Sequence, residues 1–185
     1  MSHSLRYFLL ITLPAVFGLS ALAKPLLSIF TTQDFLSGWL VIPIITLSGL
    51  LAGIVQIFVN TLLIVKKTEI PTYINFAAAI LNVLINLFLI PLIGIVGAAI
   101  STLIAYFFMA ILCTHMSLKY FKHDFYFHDI AKSVLSSVTM YFFVSHFEIL
   151  TIRELFEVAG MGVLVYLFVM FMLGGFSDHE LSESF

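Results

Sequence analysis

The fold is decided by the stretch Ile70–Leu118, IPTYINFAAAILNVLINLFLIPLIGIVGAAISTLIAYFFMAILCTHMSL, which contains no Asp, Glu, Lys or Arg. A helix needs about 20 apolar residues to cross roughly 30 Å of bilayer hydrocarbon, so this stretch is too long for one span. Pro91 and Gly94 lie inside it, and both residue types favour turns. We therefore predict two membrane-spanning helices joined by a tight turn at residues 91–94.

Other uncharged runs on both sides of this stretch predict further spans. The fifth predicted span, at 133–147, reaches spanning length only if Lys132 and Glu148 lie at the membrane interfaces, as long side chains can. The runs outside Ile70–Leu118 are Tyr7–Ala23, Phe35–Val65 (whose first residues we assign to a loop), Ser133–Phe147 and Val158–Ser177. The predicted fold is an all-α, polytopic transmembrane helix bundle with about six spans.

The composition of the whole chain agrees with a membrane protein. Of its 185 residues, 62% are hydrophobic and 10% are charged, whereas ordinary globular domains carry about 25% charged residues. The mean hydropathy is +1.15. A net charge of −2 provides no basic surface for nucleic acid, so we exclude that partner. The single cysteine, Cys113, cannot form an internal disulfide and is expected to be a buried apolar residue.

Boundaries and orientation follow from the positions of the charges. We assign residues 1–115 to the first four spans, 116–132 to a cytoplasmic loop, and 133–185 to the last two spans and a short cytoplasmic tail. Lys and Arg concentrate in cytoplasmic loops, which predicts cytoplasmic N- and C-termini in the cell membrane. The residues on the predicted cytoplasmic side are Arg6, Lys66, Lys67, Lys119, Lys122 and Lys132, against Lys24 and Arg153 outside. Alternatively, Arg6 and the sequence Ala21-Leu22-Ala23 are typical of a cleaved signal peptide.

Three of the predicted spans carry narrow polar or small-residue faces. At about 100° per residue, each set below falls on one side of its helix. The sets are Gly49, Gly53, Gln56 and Asn60 in the second span, Asn75, Asn82 and Asn86 in the third, and Gly94, Ala98, Ser101 and Ala105 in the fourth, where Gly97 is a further helix-packing candidate. Amides facing lipid would be unsatisfied, so these faces are expected to meet protein or water. Two interpretations remain open: hydrogen bonding and close packing between helices, or a polar path for a substrate.

Catalytic and metal-binding patterns are weak in this sequence. No charged residue lies near the middle of a predicted span, where ion-coupling residues are usual. The loop pairs His123-Asp124 and His128-Asp129 provide metal-ligand atoms without diagnostic spacing, and we favour a solvated loop over a metal site. Phosphate-loop, nucleophile-elbow and metalloprotease motifs are not found. We therefore predict a protein that is not an enzyme and needs no cofactor or metal.

One segment resembles a known family. Asn82–Val83–Leu84–Ile85–Asn86, then Ile90–Pro91, Gly94–Ile95–Val96–Gly97–Ala98–Ala99 and Ser101–Thr102 are similar to the signature of polysaccharide-biosynthesis flippases. These flippases, which include the O-antigen type, belong to the multidrug/oligosaccharidyl-lipid/polysaccharide exporter superfamily. Leu13–Pro14 and Lys66–Lys67–Thr68 agree with the same pattern, so that the resemblance covers roughly residues 5–115.

The resemblance implies a transporter that moves a lipid-linked oligosaccharide, a sugar on polyprenyl diphosphate, across the bilayer through a polar cavity. Family members have about twelve to fourteen spans, so the resemblance implies a C-terminal segment that acts with N-terminal flippase helices or another membrane subunit. It also implies that cations for the diphosphate come from that other part, since no Lys or Arg lies within a span here. The alternatives are a non-transporting anchor or interaction subunit and part of a multidrug/cation antiporter.

Overall fold

The computed structural model describes residues 2–120 and 127–174, and within them the secondary structure is entirely helical. A 3₁₀ helix, Gln33–Leu40, lies between the second and third α-helices. The α-helices are α1 (Ser2–Ala21), α2 (Ala23–Phe30), α3 (Val41–Ile64), α4 (Glu69–Ile93), α5 (Ile95–Leu118), α6 (Phe127–Ser145) and α7 (Ile152–Met172).

Five segments of the described chain are long and apolar enough to cross a membrane. They correspond to α1, the 3₁₀ helix together with α3, α4, α5 and α7. The predicted fold class, a polytopic transmembrane helix bundle, is confirmed. The remaining predicted span corresponds to α6, which is helical but less apolar than the other five.

The position of α6 nevertheless matches that of a crossing helix. Near its start, Asp129 forms an ion pair with Arg6 near the start of α1, at 2.8 Å. Near its end, Val144 belongs to the same apolar cluster as Leu22, which follows α1. Helix α6 therefore runs antiparallel to α1 along the length of a helix that is itself a candidate span, and we keep the prediction that α6 crosses.

The helices form an extended row rather than a closed ring. In the order α4, α5, α3, α1, α6, α7, each helix packs chiefly on its neighbours in the row, and α4 at one end packs chiefly on α5. Apolar clusters hold the row together: Phe58 and Cys113 join α3 to α5, whereas Leu9 and Leu50 join α1 to α3. Because α4 lies at the end of the row, much of its surface is not covered by the described helices.

Several helix boundaries differ from the predicted ones for local reasons. Helix α4 continues through Pro91 to Ile93, so the predicted four-residue turn is reduced to Gly94, whose φ of +60° suits glycine. Helix α6 begins at Phe127, inside the predicted loop 116–132, with Asp129 in its first turn, where a carboxylate is favourable. Helix α7 begins before the predicted Val158 because Thr151 and Glu154 form a capping box.

Candidate functional site

A groove of about 370 Å³ lies between α4 and α5. Its polar wall consists of two amides from α4 and two hydroxyls from α5, while alanines and the side chains of Val83 and Met109 complete the lining. The lining residues are Asn75, Ala78, Ala79, Asn82, Val83, Thr102, Ala105, Tyr106 and Met109. Every lining side chain is uncharged, so the groove can exchange hydrogen bonds with a neutral polar group but contains no ionisable acid or base that would normally titrate near neutral pH.

The groove exists because α4 and α5 pack closely at one end of their hairpin. A Cβ at Gly97 would lie 2.5 Å from the backbone oxygen of Leu89, so only glycine fits that approach. Farther along the hairpin, buried Ala78 and Ala105 lie in the lining of the groove. The small residues thus set the distance between the helices, and the larger polar side chains line the space beside them.

A series of hydrogen bonds behind the groove orients one of its two amides, that of Asn82. The Ser101 hydroxyl on α5 donates to Asn86 Oδ1 on α4, and Asn86 Nδ2 donates to Asn82 Oδ1 at 2.9 Å. Ser101 is fully buried. These hydrogen bonds connect the buried Ser101 hydroxyl to Asn82 and hold the Asn82 side-chain oxygen in place, while Asn82 still lines the groove.

The three asparagines predicted to share one face of α4 lie in two different surroundings. Asn75 and Asn82 line the groove, whereas Asn86 lies behind it and bonds to α5. Asn75 is exposed and Asn82 is half-buried. Packing between helices therefore describes Asn86, whereas a polar path would use Asn75 and Asn82 and stays a prediction.

The predicted polar pair on α3 lies apart from the groove. Gln56 Nε2 donates to Asn60 Oδ1 at 3.0 Å, and both side chains are exposed. Other sides of α3 face its neighbours, since Leu50 packs in the cluster with α1 and Phe58 in the cluster with α5. Gln56 and Asn60 occupy a remaining side, which the described helices leave uncovered.

The predicted small residues occupy different environments. A Cβ at Gly53 would lie 2.0 Å from the ring of Phe8 on α1, so this glycine lies at a close helix contact. Gly49 is exposed, and a Cβ there would meet nothing within 4 Å. A packing role for Gly49 therefore has no contact in the described structure and stays a prediction. Gly94 forms the turn, and the carbonyl of Ala98 accepts a hydrogen bond from Thr102 at 2.9 Å.

Thr102 and Tyr106 were not among the predicted site residues, although they form the α5 wall of the groove. Their spacing of four residues places them on one side of a helix, which is the pattern that could have identified them. What the sequence could not indicate is that this side of α5 meets the asparagine side of α4.

The two His-Asp pairs give no metal centre in the described chain. His123-Asp124 lies outside the described residues, and Asp129 pairs with Arg6. Among residues 2–120 and 127–174, no three His, Cys, Asp or Glu side chains come together as possible metal ligands.

Comparison with known proteins gives distant matches to membrane proteins. The chain is 24% identical over 170 residues to a probable low-salt glycan biosynthesis flippase of Haloferax volcanii, covering 90% of this chain and 36% of that protein. It is 29% identical over 119 residues to an uncharacterized membrane protein of Methanocaldococcus jannaschii, covering 64% of this chain and 24% of that protein. The chain thus spans about a third or less of the length of these relatives.

No family model matches the chain, and no solved structure matches it either. Together, the matches and the helical bundle support a multi-pass membrane protein that is distantly similar to a flippase.

Proposed function

We propose that the chain forms part of a membrane flippase that translocates a lipid-linked oligosaccharide across the cell membrane for surface polysaccharide biosynthesis. The observation that carries the proposal is the uncharged polar groove lined by Asn75, Asn82, Thr102 and Tyr106 in an otherwise apolar hairpin. The distant similarity to a probable glycan biosynthesis flippase supports the same function.

The chemistry of the groove suits a neutral sugar. Each amide offers both donors and acceptors, and each hydroxyl can act as either, which matches the hydroxyl groups of a glycan. Such groups could replace part of the hydration that a sugar loses in the membrane. The proposed role of the groove is therefore transport of the sugar through the bilayer, and no step of covalent catalysis is proposed.

The diphosphate of a polyprenyl-linked substrate needs a different environment. Phosphate groups are best bound by Arg or Lys, and the groove contains neither. We propose that further flippase helices, or another membrane subunit, supply these cations and complete the path. In this arrangement the N- and C-termini face the cytoplasm, as the distribution of Lys and Arg predicts.

Genetic removal of the chain in its own host tests the proposal. Without the chain, lipid-linked oligosaccharide should accumulate on the cytoplasmic side, and surface polysaccharide should fall. Normal export without the chain would contradict the proposed function.

Complementation then assigns the transport role to the groove. Asn82→Leu should restore export poorly, whereas Phe88→Leu, at an exposed position on the same helix and outside the groove, should restore it fully.

A second candidate function is a non-transporting interaction subunit. It is favoured by the exposed Gln56–Asn60 pair, because amides on an uncovered helix side promote association in membranes. In that case Gln56→Leu would abolish co-purification with a partner while export continues. Loss of export in Asn82→Leu with normal co-purification would favour the flippase instead.

A further inference from the structure

A second cavity, of about 700 Å³, lies at the other end of the bundle from Arg6 and Asp129. It is formed where the end of α1, the short helix α2, the 3₁₀ helix and the α6–α7 connection meet. Its lining residues are Ser20, Ala21, Lys24, Pro25, Ser28, Leu36, Trp39, Tyr141, Val144, Ser145, Phe147, Glu148, Ile149 and Leu150. This volume is within the range of small-molecule sites.

The cavity lies at the membrane–water boundary. Exposed Thr31 and Thr32 connect α2 to the 3₁₀ helix, and exposed Asp34 lies in the first turn of that helix. Exposed His146 and Glu148 follow the end of α6. Trp39 in its wall is half-buried, as is common for tryptophan at a membrane interface. A ligand in this cavity could therefore have its polar part in water and its apolar part in the bilayer.

The cavity presents one cation, and that cation is held in place. Lys24 Nζ lies 4.4 Å from the centroid of the Trp39 ring, so the ring stabilises the ammonium through a cation–π interaction. The ring covers one side of the ammonium, and the N–H groups on its other side can donate to an anion.

The wall also contains several hydrogen-bond acceptors, beside the Tyr141 hydroxyl and the Trp39 indole N–H, which can donate. Ser20, Ser28 and Ser145 each donate their hydroxyl hydrogen to a backbone carbonyl of their own helix, at 2.6, 2.9 and 3.0 Å. Since a hydroxyl has one hydrogen, the oxygens of these serines can then only accept. Glu148 adds a carboxylate. The wall thus suits a ligand with one anionic group and several N–H or O–H donors.

We propose that this cavity binds the headgroup of a phosphoethanolamine lipid. The phosphate would accept hydrogen bonds from Lys24, and the primary ammonium, with three donors, would bind Glu148 and the serine oxygens. The acyl chains would leave along the apolar wall formed by Leu36, Phe147 and Leu150, the last of which is 80% exposed. This site shares no residue with the groove between α4 and α5, so it does not depend on the proposed transport function.

Trp39 provides a direct test because it is the only tryptophan of the chain. The full chain is reconstituted in phosphatidylcholine vesicles that contain increasing fractions of phosphatidylethanolamine with brominated acyl chains, and quenching of Trp39 fluorescence is measured. Phosphatidylcholine has the same charges but no N–H donors, so it is the matched control lipid. Hydrogen bonds to charged groups lead us to expect about tenfold preference for phosphatidylethanolamine, with mono- and dimethylated headgroups in between.

A matched pair of variants locates the selectivity. Glu148→Gln should reduce the preference to near equality, whereas Glu157→Gln, which removes an exposed carboxylate paired with Arg153 outside the cavity, should retain it. Equal quenching by both brominated lipids would overturn the proposal, as would an unchanged preference in Glu148→Gln. Stronger quenching by a neutral brominated glycolipid than by phosphatidylethanolamine would overturn it too. The comparison of lipids uses the unmodified chain, so it does not depend on the folding of any variant.

Discussion

Gly97 shows how one residue controls the distance between two membrane helices. Its missing side chain lets α5 approach the backbone of α4 at Leu89. Gly97→Ala should therefore push the hairpin apart and lower the free energy of unfolding by about 1–3 kcal/mol, as overpacking does. The free energy of unfolding is measured on the purified protein in detergent, with circular dichroism reporting the loss of helix.

Gly49→Ala is the matched control for this prediction. A Cβ at position 49 meets nothing within 4 Å, and alanine favours helix more than glycine does. The stability of Gly49→Ala should be equal to or above that of the wild type. If both variants lost the same stability, the loss at position 97 could not be assigned to the close approach of α5 to Leu89.

Asn86 and Asn75 separate the packing role of the asparagine stripe from the proposed transport role. Asn86→Leu breaks the hydrogen bonds to Asn82 and Ser101, so it should lower stability by about 0.6–2 kcal/mol, the range for interhelical hydrogen bonds in membranes. Asn75→Leu changes an exposed groove residue and should leave stability nearly unchanged while reducing export. Equal stability losses in the two variants, measured by the same unfolding titration, would contradict this division.

At the residue scale, the sequence predicts which residues share one side of a helix, but not which neighbouring residues that side contacts. Spacings of seven and four residues correctly place the asparagines on one side of α4, because helical periodicity is a local property. The sequence does not distinguish Gly53, against Phe8, from Gly49, in open space. That difference depends on where α1 crosses α3, which is set by packing of the whole row. The transport role of the stripe stays a prediction.

At the scale of elements, α6 explains why hydropathy alone is a weak guide to a helix that packs inside protein. Ser133, Ser136 and Ser137 are fully buried on one side of this helix. The Ser133 hydroxyl lies 3.0 Å from Tyr166 Oη on α7, and Ser136 donates to the carbonyl of Lys132. The Ser137 hydroxyl has no hydrogen-bond partner among the described residues. Small hydroxyl side chains lower the hydropathy of α6, and their small volume allows close contact with α1 and α7.

The ion pair between Arg6 and Asp129 should be an important contact between α1 and α6. The two side chains are only 11% and 18% exposed, so removing one charge leaves the other poorly solvated. Arg6→Gln is expected to lower the unfolding free energy by about 3 kcal/mol. The same unfolding titration measures the loss.

The exposed pair Arg153–Glu157 provides the control for that ion pair. Its side chains are 88% and 54% exposed at the same N–O distance of 2.8 Å, so Arg153→Gln should change stability by less than about 0.5 kcal/mol. Similar losses for Arg6→Gln and Arg153→Gln would show that burial of the first pair does not strengthen it.

For the whole molecule, the helix ends fall into two groups that agree with alternating crossings. One group contains the Arg6–Asp129 pair and the hydrogen bond from Lys132 Nζ to the Gly174 carbonyl, at 3.0 Å. The other contains Lys24, Trp39 and Glu148 around the second cavity. The sequence predicts the approximate positions of the long helices from apolar length, but it does not predict the short helix α2 or the 3₁₀ helix. It does not predict that α3 packs on α5 and α1 on α6, because the apolar surfaces of membrane helices are chemically alike.

Labelling of single cysteines tests both this arrangement and the predicted orientation. In a Cys113→Ala background, a membrane-impermeant maleimide on intact cells should label Thr31→Cys and His146→Cys, at exposed positions in the second group of helix ends. Lys66→Cys and His128→Cys should react only after the membrane is opened, because positive loops stay in the cytoplasm.

Positions 128 and 146 bound α6, so their comparison decides whether this helix crosses despite its low apolarity. Labelling of both from one side would show that α6 does not cross and would leave Asp129 and Glu148 at the same surface. If positions 66 and 128 were labelled on intact cells and positions 31 and 146 were not, the helices would still cross as described, but the termini would face outward. The second cavity would then open to the cytoplasm, and a phosphoethanolamine lipid would have to reach it from the inner leaflet. The orientation of the bundle therefore determines which leaflet supplies the proposed lipid, while the chemistry of the cavity determines which headgroup it selects.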